Sequence, residues 1–67
     1  MEGEERMMKW FAYDHLKGGL MATSKMFHGL AVAICESIEP GPERTVALRK
    51  LLEAKDAAVR ACIHPGG

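Results

Sequence analysis

Trp10, Phe11 and Tyr13 fall within four residues of one another, followed by His15, and they are all but one of the chain's aromatic side chains. Rings presented beside a cation form a stacking platform for a nucleobase, with the charge holding a phosphate. Lys25, or an arginine later in the chain, is the residue type that would complete such a contact. The same rings can instead fold back as a hydrophobic arm, because aromatic side chains carry a large apolar payload. The two roles are compatible if Trp10 and Phe11 anchor the segment while Tyr13 faces a ligand.

Other chemistry is poorly provided for. His15, His28, His64, Cys35 and Cys62 show none of the short paired spacings that tetrahedral zinc sites use. There is no Gly-x-Ser-x-Gly elbow, no glycine-rich phosphate cradle leading into a helix, and no pair of carboxylates in an expected pocket. The sequence therefore points away from an enzyme and offers no catalytic residue, metal ligand or cofactor motif.

The elements that must position the aromatic segment can be read from breakers and periodicity. Residues 1–19 form an acidic and then aromatic leader that closes at Gly18-Gly19. A first long helix is expected over 20–39, where Phe27, Leu30, Ile34 and Ile38 repeat on one helical face. Pro40-Gly41-Pro42 stops it, since proline lacks an amide hydrogen and disfavours helical geometry in the residue before it. Pro42 in turn suits the first turn of a second helix over 42–62, and Glu43 sets a negative charge at the positive end of its dipole. Residues 63–67 are a tail. So short a connection makes the chain, 1–67, one antiparallel αα-hairpin with an N-terminal aromatic arm. In that hairpin Cys35 and Cys62 lie roughly 25 Å apart, beyond the ~7 Å a disulfide spans. Both are expected to be small buried hydrophobes.

At sixty-seven residues and 7.4 kDa, with nine basic and nine acidic side chains, the chain is a single small unit. Its 48% hydrophobic content is soft, with nine alanines and five methionines. A single core of this size supplies only about 3–5 kcal/mol and is usually supplemented by disulfides, a metal or self-association. The first two are disfavoured above, and the second helix argues for the third. Arg49, Glu53, Asp56 and Arg60 form one polar stripe, with Arg49–Glu53 and Asp56–Arg60 at pairing distance. Leu48, Leu51, Leu52, Ala54, Ala57, Ala58, Val59 and Ala61 cover most of the remaining circumference. One partner helix cannot cover so wide an arc, so other copies are expected to. The alanines imply close helix approach.

Zero net charge disfavours duplex nucleic acid as a partner. No apolar run is long enough to span a membrane, and the start Met1-Glu2-Gly3-Glu4-Glu5 lacks the basic flank of a secretory signal, so the expected location is cytoplasmic. Arg44, Arg49, Lys50 and Arg60 read most simply as solvated helix-face charges. Lys25, just before an apolar run, and Lys55, inside the apolar arc, read as side chains whose stems pack at a subunit seam with the charged head free.

Phe11-Ala12-Tyr13, then Phe27-His28-Gly29-Leu30-Ala31, Pro40-Gly41-Pro42-Glu43-Arg44-Thr45-Val46-Ala47-Leu48 and Leu51-Leu52-Glu53-Ala54 resemble the small phage hairpin proteins of the anti-CBASS and anti-Thoeris nucleotide-sponge family. The resemblance covers about 11–61. It implies an oligomer, typically a hexamer, that sequesters cyclic oligonucleotide or cyclic ADP-ribose signals in the host bacterial cytoplasm without turning them over. Tyr13 falls on the family's base-stacking tyrosine and Lys25 on its phosphate-binding basic residue. Thr45, Arg49 and Arg60 are candidates for a second pocket. The chain departs from the family at Tyr13-Asp14-His15-Leu16, where Tyr-His-Pro-Pro is common, in a shorter linker, and near Asp56-Ala57-Ala58, where a Trp-Ala-Asn segment is replaced. Asp14 beside a phosphate would repel it. The alternative expectation is a helical self-assembly or protein-interaction module without a nucleotide ligand. A transcription regulator is disfavoured by the neutral charge and the absence of a recognition helix.

Overall fold

The computed structural model describes residues 6–13, 18–64 and 66. Three elements follow in order: a 3₁₀ turn, η1 (Arg6–Phe11), and two long helices, α1 (Gly18–Ser37) and α2 (Pro42–Ile63). All the regular structure among the described residues is helical. The helices turn back on each other. Arg44, in the first turn of α2, reaches the last turn of α1, while at the opposite ends Thr23 Oγ1 lies 3.3 Å from Cys62 Sγ. The η1 turn packs against both helices.

The helix boundaries follow from local chemistry. Helix α1 begins two residues before the expected Leu20, at Gly18, whose φ of 60° turns the chain into the helix through a region open chiefly to glycine. It ends at Ser37, two residues short of the expected 39. Ile38 still donates its amide to Ile34 O at 3.0 Å, and Glu39 is then excluded by Pro40. Ser37 Oγ folds back onto Ala33 O at 2.7 Å, a local bond common where a helix frays. Pro42 opens α2 as anticipated, behind Gly41, and Thr45 donates both its amide and its hydroxyl to Gly41 O.

The core is small. Phe11, Ala31 and Leu48 are fully buried, with Met7, Met8, Phe27, Ile34, Cys35, Leu51 and Leu52 packed against them. The inward line of α1 therefore runs through Ser24, Phe27, Ala31 and Ile34, and two members of the expected apolar face, Leu30 and Ile38, are exposed instead. On α2 the arc also divides: Leu48, Leu51, Leu52, Ala58 and Val59 turn inward, whereas Ala54, Ala57 and Ala61 face out. Cys62 is exposed, against the expectation of burial, while Cys35 is half-buried; both thiols are free.

Two cations expected at the surface are buried. Arg44 is 6% exposed and its Nη1 donates to Cys35 O at 3.2 Å and Ile38 O at 2.8 Å. These are carbonyls at the end of α1, whose last turn has no basic residue of its own. The guanidinium thus satisfies orphan acceptors and sits at the negative end of the α1 dipole. Lys55 is 9% exposed, and its ammonium, expected to be free, donates to Trp10 O at the end of η1. The pattern of α2 shows both residues inside or beside an apolar arc, but not the distant carbonyls they serve.

Candidate functional site

Tyr13 follows η1 and is half-buried against α1. Its ring meets that of His28 edge-on, with centroids 5.0 Å apart and planes at 65°. This is the edge-to-face arrangement that aromatic quadrupoles favour. Lys25 Nζ stands 6.0 Å from the Tyr13 centroid, at the outer limit of a cation–π contact. Lys25 and His28 come together because residues three apart share a helix face. Tyr13 is delivered by the burial of Phe11 two residues earlier, which fixes where the segment leaves the core.

The cluster joins a partly accessible ring, an exposed ammonium and a half-buried imidazole. The ring can stack on a planar group and the ammonium can donate to an anionic oxygen. His28 was not among the expected site residues; its i, i+3 relation to Lys25 is the signal that identifies it.

The other expected site residues divide. Phe11 is fully buried, so in this chain it anchors the segment and presents no face to a ligand. Trp10, expected to anchor alongside it, is 56% exposed, with Lys9 Nζ 5.2 Å from its ring centroid. It is an available aromatic surface separate from the Tyr13 group. Thr45 is half-buried with its hydroxyl committed to Gly41 O. Arg49 and Arg60 are exposed on α2. Thr45 and Arg60 are fifteen residues apart, about 22 Å along a helix, so the three α2 candidates do not close into one pocket within a chain. Glu53 pairs with Lys50 at 4.0 Å instead of the expected Arg49, and both side chains of that pair are well exposed. Asp14, His15 and Leu16, at which the chain departs from the sponge family, lie outside the described residues.

Among the described residues no three His, Cys, Asp or Glu side chains gather as a metal-binding group. No described helix is long and apolar enough to cross a membrane. Comparison with protein-family models, with curated proteins and with solved structures gives no match.

Proposed function

We propose that the chain assembles with copies of itself and binds a cyclic nucleotide signal without turning it over, acting as a phage counter-defence sponge in the cytoplasm of a bacterial host. The observation that carries this reading is the grouping of Tyr13, Lys25 and His28. A ring for a base and an ammonium for a phosphate stand together, on the residues to which the sponge resemblance assigns stacking and phosphate contact. A small set of fully buried side chains and several exposed large apolar ones support the assembly half of the reading.

A second reading, a self-assembly or protein-interaction module with no nucleotide ligand, is favoured by one observation. Met26, Leu30, Ile38 and Ile63 are each about half exposed or more, away from Tyr13 in the sequence. Titration calorimetry of the purified chain with a panel of cyclic dinucleotides, cyclic trinucleotides and cyclic ADP-ribose isomers separates the two. Saturable binding of one of them supports the sponge. Binding of none, by a chain that is nevertheless oligomeric, leaves the interaction module.

A further inference from the structure

The outward face of α1 is apolar and is not covered by other described residues. Met26 is 67% exposed and Leu30 52%, with Ala22, Gly29 and Ala33 exposed between and beside them. A Cβ built on Gly29 meets nothing within 4 Å, so the chain's own packing gives no reason for a mid-helix glycine, which costs stability relative to alanine. The charged residues of α1 are Lys25 and Glu36, both exposed. They are eleven residues apart, close to three turns, and therefore stand on the same edge of this face.

We propose that this face is the seam between two copies of the chain, with α1 packed antiparallel against α1 of the second copy about a twofold axis near Gly29 and Leu30. In that register Met26 of each copy lies over Ala33 of the other along the middle of the strip, while the two Leu30 side chains meet on one edge and the two Gly29 backbones approach on the other. Antiparallel helices bring like edges together. Lys25 of each copy then faces Glu36 of the other, and the two ion pairs are reciprocal. The face is complementary to itself in size and in charge, which an interface with a second copy requires and a foreign partner does not. The exposed ion pairs set register more than strength, and the apolar strip between them supplies the adhesion. The inference deepens the assembly half of the proposed function and does not depend on a nucleotide; it sets the Glu36 carboxylate of the second copy beside Lys25, so Lys25 serves both the seam and a phosphate only by dividing the three donors of its ammonium.

The test is sedimentation velocity of the full chain at micromolar concentration, with helicity checked by circular dichroism. Lys25→Glu and Glu36→Lys each place like charges opposite one another twice, and each is expected to shift the chain to a smaller species. An equimolar mixture of the two variants restores both attractive pairs in a mixed dimer and is expected to recover the parent sedimentation coefficient. Leu30→Glu is expected to abolish the seam on its own, with no rescue by either charge variant. Parent-like sedimentation of Leu30→Glu, or of both charge variants, would overturn this face while leaving an assembled parent, and so the broader assembly reading, standing. A parent that is monomeric throughout would overturn both.

Discussion

The Nζ of Lys55 donates a hydrogen bond to the carbonyl oxygen of Trp10, forty-five residues earlier in the chain. It also stands 6.0 Å from the centroid of the buried Phe11 ring. One side chain of α2 thus caps the end of η1 and holds the segment that presents Tyr13 to α1. Lys55→Met keeps the apolar stem and deletes the donor. Leaving the Trp10 carbonyl short of its partner is expected to cost about 1–3 kcal/mol. Amide hydrogen exchange should accelerate first over Met7–Phe11 and only later in the helices. Unchanged exchange in that segment would mean that Phe11 burial alone holds it.

Arg44 plays the corresponding part at the turn. Two hydrogen bonds from one guanidinium to α1 carbonyls are charge-assisted, so Arg44→Met should destabilise the fold by about 2–3 kcal/mol. Arg49→Met, on the exposed face of the same helix, should stay within roughly 0.5 kcal/mol of the parent. Urea unfolding at one fixed protein concentration checks both, since association shifts apparent stability. Equal effects at the two positions would contradict the capping role.

Ser24 is fully buried in α1, and its hydroxyl has no hydrogen-bond partner among the described residues. Burying a hydroxyl uncompensated costs about 1–3 kcal/mol. Ser24→Ala removes that polar atom with almost no change in volume and is expected to raise stability by about 1 kcal/mol, read as a higher urea midpoint at unchanged slope. A lowered midpoint would show that the hydroxyl is satisfied in the protein in solution.

How much of this was legible in the sequence depended on how local each determinant is. Pro40-Gly41-Pro42 and Gly18-Gly19 placed both helices to within two residues, because breakers act on their immediate neighbours. Periodicity found Phe27 and Ile34 but assigned Leu30 and Ile38 to the same face; apolar type alone does not say which side of a largely apolar helix turns inward. Arg44 and Lys55 were misplaced for a different reason. Their partners are backbone carbonyls at the ends of other elements, and a carbonyl carries no residue type to read. Of the residues grouped at the candidate site, Tyr13 and Lys25 had been singled out by type. His28 was missed, since a single histidine in a helix is informative only when its neighbour one turn away is already under suspicion.

Tyr13→Ala is expected to weaken nucleotide binding by about 1–3 kcal/mol, the worth of one stacked base. The oligomer should remain intact, because Phe11 still occupies the core and the side chains that build the proposed seam are those of α1. Calorimetry and sedimentation on the same samples check the two halves separately. Equal affinity in parent and variant would confine Tyr13 to its packing against His28.

The central claim, capture of a cyclic nucleotide by an assembly that leaves it intact, is tested most directly by native mass spectrometry of the full chain with and without the cyclic nucleotide panel, followed by heat release and chromatography of what was bound. The account predicts an oligomer without ligand, a mass increase of whole nucleotide units with one member of the panel, and recovery of that nucleotide unchanged after denaturation. A linearised product, or an assembly to which no cyclic nucleotide adds mass, would contradict it.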